Sequence, residues 1–303
     1  MPSTNPSRGF VVLALCRRMS SLRNCGNVFG EIGRENDMIT KRQTLLAVSA
    51  LPLSQRASAQ GAEALARAFA PSGKLRAVIN LGNPILANQA PSAALPHGVS
   101  VDLAQELARR LGVELEMVVL RAAGRAVEAV RSGQADIGFF AVDPARSEGI
   151  EFSAPYVEIE GAYLVRGSSS LMQLAEVDRP GTRIAVGLNS AYDLYLSREV
   201  RYASLVRVPT SPAVVDEFLR QNLDVAAGVR QQLEADAARV GGLRILPGRF
   251  MVIHQAMGLA AGRDPAALLY LAAFVEDMKA SGFVANALTR HGIQGATVAA
   301  ARA

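Results

Sequence analysis

Few side chains in this chain are placed to make or break bonds. His97, His254 and His291 lie far apart and show no metal-ligand spacing. There is no Gly-x-Ser-x-Gly elbow, no Gly-x-Gly-x-x-Gly turn and no phosphate-binding lysine loop. The two cysteines, Cys16 and Cys25, both precede residue 38. What remains is the chemistry of holding rather than reacting. Asn80 precedes and Asn83 lies within a break at Gly82-Asn83-Pro84, where an amide can bond a ligand or fix its own loop. Arg121 ends a predicted strand and adds positive field there. Charged pairs such as Glu106 with Arg109 and Arg110 read as a solvated helix face.

The elements that must position these groups alternate. Leu75 to Leu81 is a strand broken by Gly82, and Val99 to Leu111 has helical spacing closed by Gly112, a residue tolerant of positive φ. A strand at Val113–Leu120, a helix at Ala122–Ser132 and a buried strand at Ala135–Ala141 complete a strand–helix–strand–helix–strand run, which implies a parallel sheet covered by helices. The pattern restarts at Ile184 with strands at 184–187, 205–208, 225–227, 243–246 and 251–258, and with helices from Ala191, Pro212 and Gln231. Asp264 to Ser281 is a long helix begun by Asp-Pro, and Phe283 to His291 a short one. The chain is therefore α/β in two similar units, joined near Glu158–Tyr163 and Phe250–Ala256. Ligands of open parallel sheets bind beyond the carboxyl ends of the strands, which between two facing lobes becomes a cleft.

The 303 residues are 50% hydrophobic and 19% charged, enough for a sizeable core and too apolar for disorder. Absence of Trp excludes a sugar-stacking surface built on it. The net charge of +5 is local: residues 1–59 hold 8 Lys/Arg and 3 Asp/Glu, leaving 24 of each sign beyond. That balance excludes a nucleic-acid binder. Residues 38–59 have the plan of a signal peptide: Lys41-Arg42, an apolar stretch from Thr44 to Leu53, and Ala57-Ser58-Ala59 before Gln60. Residues 1–37 read as an over-extended gene start, with Met38 the initiator. The expected product is a soluble chain outside the cytoplasm without cysteine, disulfide or lipid anchor, and no later stretch reaches the ~18 apolar residues of a membrane span.

Four segments in order carry a resemblance. They are Gly98-Val99-Ser100-Val101-Asp102-Leu103-Ala104; Ser132-Gly133-Gln134-Ala135-Asp136-Ile137; Arg146 followed by Ile150-Glu151-Phe152-Ser153-Ala154-Pro155-Tyr156; and Arg183-Ile184-Ala185-Val186-Gly187 running into Asn189-Ser190-Ala191-Tyr192. From about Lys74 to His291 the chain resembles family 3 of the bacterial periplasmic solute-binding proteins, the polar amino acid receptors of ABC importers. The resemblance implies a two-lobed periplasmic-binding-protein fold, type II, with two hinge-strand crossovers. Lobe 1 would comprise 74–160 plus 251–292, lobe 2 161–250, and 293–303 a fraying tail. It implies a monomer that needs no cofactor or metal and captures a small anionic or zwitterionic solute for a permease in the inner membrane. The arginine matching Arg146 holds a ligand carboxylate in such proteins, a task suited to a planar fork of donors. The alternative at that position is a surface ion pair with Glu148 or Glu151. Ser190 and Ala191 match a pair at a helix start that receives the carboxylate across the cleft, although Ser190 also suits a plain N-cap.

The departures matter as much. Val229 stands where the family places the Asp that holds an ammonium, and Arg230 follows it. A ligand lacking an ammonium, or one meeting Glu160 or Asp193 instead, is favoured. Aromatic positions are altered at Gly82 and at Ala122-Ala123, and the family's hydroxyl pair is replaced by Phe139-Phe140-Ala141. The expected ligand-binding set is Asn80, Asn83, Arg121, Phe140, Arg146, Tyr156, Ser190, Ala191, Tyr192 and Arg230. The three arginines together favour an anion, such as an amino acid or related organic acid. Two other functions stay open: a cyclohexadienyl or arogenate dehydratase-like enzyme, which needs an acid in the cleft, and a sensing subunit for a membrane partner.

Overall fold

A computed structural model describes residues 53–301, with side chains from Gln60 onward. The expected gene-start extension, residues 38–52 of the expected signal segment and both cysteines lie outside the described residues. The chain runs α1 (Leu53–Phe69), β1 (Lys74–Asn80), α2 (Val99–Leu111), β2 (Glu114–Leu120), α3 (Ala123–Arg131), β3 (Ile137–Ala141), one-turn α4 (Pro144–Ser147) and β4 (Ile150–Arg166). It continues with β5 (Arg183–Gly187), α5 (Ala191–Glu199), β6 (Ser204–Val208), α6 (Val214–Arg220), β7 (Val225–Val229), α7 (Arg230–Val240) and β8 (Leu243–Ile245). Then come β9 (Met251–Ala260), α8 (Pro265–Ala280), α9 (Phe283–Arg290) and β10 (Thr297–Val298).

Two parallel units are built alike. β1 lies between β2 and β3, and β5 lies between β6 and β7. In each unit an aspartate at the foot of the third strand accepts the backbone N–H of an arginine on the first. Asp136 takes Arg76 N at 2.9 Å, and Asp224 takes Arg183 N at 2.8 Å. The long strand β4 joins the units: it pairs antiparallel with β9 from Ile150 to Gly161, then with β7 from Gly161 and β8 from Leu164. β4 and β9 are thus the two strands on which the chain crosses between units.

α2 shows how local sequence makes an element. Val99, Val101, Leu103, Ala104, Leu107 and Ala108 fall on one buried face, while Gly112 closes the helix at φ 66°. Asp102 in its first turn accepts from Arg290 and from His291 Nε2, each at 2.8 Å, tying α2 to the end of α9. β3 is buried throughout, and its alternation sends Phe139 to one face, edge-on to Tyr156, and Phe140 to the other, edge-on to Phe152. Gly138 leaves the space that the Phe140 ring fills.

Both ends of the described residues pack against the rest of the chain. α1 runs unbroken past Ala59-Gln60, and its Leu65, Ala68 and Phe69 pack on the core, with Phe69 edge-on to Tyr270. The tail beyond 292 does not hang free within the described residues. Thr297 and Val298 pair with Glu158 and Val157 of β4, and Ala299 N donates to Tyr156 O at 3.1 Å. The edge of β4 opposite β9 would otherwise leave backbone groups unpaired there, and the two-residue strand β10 satisfies them.

Candidate functional site

Between the two units lies a small cavity of about 50 Å³. Seven of the expected residues line it: Asn80, Asn83, Phe140 and Arg146 from the first unit, and Ser190, Ala191 and Tyr192 from the second. Arg146 is the charged member. Asp143 caps α4 by accepting Ala145 N at 2.9 Å, and Pro144 starts that turn. The turn drives Arg146 inward, leaving it 5% exposed. Its Nη1 donates to Ala141 O and its Nη2 to Asn189 O, both at 3.0 Å. It has no ion-pair partner among the described residues. Glu148 and Glu151 do not pair with it, and Asp143 is taken by Arg198 at 2.8 Å. Burial pushes the guanidinium pKa down to about 10, with the charge of Asp143 opposing. The group is a cation at neutral pH, held among neutral acceptors that leave donors free for an anion.

Asn189 supplies its carbonyl to Arg146 from a left-handed conformation, φ 56°. Asn is one of few residues that adopts it readily. The conformation is braced by Asn189 N donating to Asp193 Oδ2 at 2.8 Å. Ser190 caps α5, its Oγ accepting Asp193 N at 3.0 Å, so its hydroxyl serves the helix as well as facing the cavity. Tyr192 is buried and its phenol pKa is raised; burial is the main cause, and hydrogen bonds with Ser211 and Ser190 pull the other way. Replacing Asn189 by Ala is expected to cost about 1–3 kcal/mol through strain at a left-handed residue. Asn189→Gly should cost less, as urea midpoints of the two variants will tell.

Three expected residues do not join the cavity. Arg121 lies just past β2, the edge strand, and its side chain reaches solvent; only its backbone carbonyl approaches Gly82. Tyr156 is fully buried behind the wall, because the alternation of β4 turns it to the core, where it meets Phe139 and lies 3.4 Å from Ser100 Oγ. Arg230 starts α7 and is drawn off by Glu160 at 2.7 Å and by the Gly248 carbonyl. It lines a separate open groove with Ile85, Glu234 and Gly292.

The proposed substitutes for the missing acid are also engaged elsewhere. Glu160 binds Arg230 and Arg249, and Arg230 foremost holds its carboxyl below the usual range. Asp193 binds Arg207 at 2.9 Å. Asn80 Oδ1 accepts Gly82 N at 2.9 Å and so fixes its own turn. Asn83 Oδ1 is buried with no partner. Sequence reasoning missed Ser100, Ser211 and Gln255, all on the cavity wall. Gln255 left a trace, as a polar residue inside the apolar run of β9; Ser211 left none.

Two parallel units joined by two crossing strands around a buried cationic cavity define the class: a two-lobed solute-binding protein of the type II periplasmic fold. More particularly, the chain belongs to the bacterial extracellular solute-binding proteins, family 3, whose model matches residues 87–293. Among solved structures it is similar to a receptor for L-cysteine of Neisseria gonorrhoeae, with 20% identity, TM-score 0.66, and coverage of 76% of this chain and 95% of that one. It is also similar to a mutant of ArgBP from T. maritima, with 21% identity, TM-score 0.64, and coverage of 75% and 98%. A third is the ancestral amino acid-binding protein AncCDT-1, a precursor of cyclohexadienyl dehydratase, with 19% identity, TM-score 0.64, and coverage of 76% and 99%. No curated protein sequence matches the chain. Among the described residues no helix is long and apolar enough to cross a membrane.

Proposed function

We propose that this chain is the extracytoplasmic substrate-binding receptor of an ABC importer. It captures a small carboxylate-bearing solute, an amino acid or related organic acid, by closing lobes 74–160 plus 251–292 and 161–250 around Arg146. The observation that carries the reading is a guanidinium 5% exposed, in a cavity between the lobes, with no acidic partner. A buried charge left unpaired costs several kcal/mol, and a carboxylate arriving at its open donors offsets that cost. The ligand docks on one lobe, and closure adds contacts from the other, which shifts the population toward the closed form. Export to the periplasm follows the signal pattern at 38–59. The partner is an inner-membrane permease, and the receptor works as a monomer. The likeness to ArgBP and to the receptor for L-cysteine supports an amino acid or a chemical relative of one. The dehydratase-like alternative requires an acid in the cavity, and neither Glu160 nor Asp193 lines it.

Thermal unfolding in the presence of amino acids and organic acids tests this. A true ligand at 100 times its dissociation constant adds about 2.7 kcal/mol of stability. Its methyl ester is expected to add almost none, and the ligand is expected to be recovered unchanged. Equal stabilisation by acid and ester would remove the role given to Arg146, and steady consumption of the ligand would favour an enzyme.

A further inference from the structure

We infer that the cavity selects a small hydroxy monocarboxylate over the amino acid of the same carbon skeleton. This rests on the receptor reading above and narrows its ligand.

Arg146 is the one charged side chain on the cavity wall among the described residues, so the site carries a single positive charge. A monocarboxylate neutralises it. An amino acid brings in addition an ammonium with three donors and a charge, which needs a carboxylate nearby. Among the described residues, the acids around the cavity are already committed. Asp143 faces Arg198, Asp193 faces Arg207, and Glu160 faces Arg230 and Arg249. Asp236 lines a smaller adjoining cavity but accepts from Arg239 at 2.8 Å and from Gln232 at 2.9 Å. At the family's ammonium position Val229 presents an apolar surface, together with Leu86, Phe139 and Ile253.

Asn83 is on the wall, and its Oδ1 is buried without a donor among the described residues. Asn83 is held in place by its own N–H, which donates to Asn80 O at 3.3 Å. A neutral hydroxyl on the ligand satisfies this oxygen with one bond and brings no charge. A cavity of about 50 Å³ suits a short acid better than a long side chain.

Calorimetric titration of the full chain with matched probes tests the inference. Glycolate, lactate and glycerate are set against glycine, alanine and serine, with propionate and lactamide as controls. The hydroxy acids are expected to bind at least about tenfold more tightly than their amino counterparts, the penalty for an unmatched ammonium. Lactate should exceed propionate, and Asn83→Ala should bring the affinities of those two together. Tighter binding of the amino acids overturns the inference and leaves the carboxylate receptor standing. Equal binding of lactate and lactamide overturns the receptor reading itself. No binding in either series overturns both.

Discussion

Replacing Arg146 by Ala should reduce carboxylate affinity by at least about 100-fold, the loss expected when one partner of a buried charged pair is removed. The same change should leave the unliganded protein nearly as stable as before. Two opposing effects meet there. The Ala141 and Asn189 carbonyls lose donors at 3.0 Å, which costs stability. A buried cation without an ionic partner disappears, which returns it. Arg146→Lys should fall between, because an ammonium keeps the charge and loses the planar fork. Calorimetric titration with the best carboxylate, paired with urea unfolding of each variant, checks both halves. Unaltered affinity in Arg146→Ala would refute the site. A collapse of stability would show that the residue is structural.

The second large effect is expected far from the cavity. Asp136 is fully buried, and its carboxylate accepts Arg76 Nη2 at 2.7 Å, Arg76 Nε at 3.0 Å, Arg76 N at 2.9 Å and Arg263 Nη2 at 2.8 Å. Asn in its place keeps one oxygen and no charge, and leaves two largely buried guanidinium groups facing each other. The expected loss is about 3–5 kcal/mol, a large part of the ~5–15 kcal/mol that holds a domain together. The pH dependence has a definite sign. Burial alone would raise the carboxyl pKa of Asp136, but Arg76 and Arg263 outweigh it and the pKa is lowered. The stabilisation is therefore complete above the unfolded value near ~3.9 and is lost as pH falls toward the lower folded value. Glu106, held down to about 2 chiefly by Arg109, titrates with the same sign in both proteins, so the difference between wild type and Asp136→Asn isolates Asp136. Urea unfolding at pH 7 and at steps down to pH 3 measures it. Parallel curves for the two proteins would remove Asp136 from the account.

The motif that carried the family resemblance is thus partly structural. Asp136 and Asp102, both within quoted segments, hold strands and helices together and touch no ligand cavity. Asp224 does in the second unit what Asp136 does in the first. Spacing that repeats across two units marked the fold before it marked the site. The cavity residues were legible where they sit beside element ends. Asn80 ends β1 and Asn83 follows it, Arg146 lies in the turn after β3, and Ser190 caps α5. Strand and helix ends are visible in a sequence because glycine, proline and capping residues have local backbone reasons.

Burial periodicity and element order, and with them the α/β class, the two units and the turns after their strands, are properties of neighbouring residues, and the sequence by itself determined them. Which arginine faces the cavity was decided only in the tertiary structure. Arg121, Arg146 and Arg230 are alike as side chains, but β2 lies at the sheet edge, α4 turns inward, and Glu160 waits for Arg230 from 70 positions away. A long charged side chain settles on the best partner within its reach, and that partner is set by segments that folding brings together.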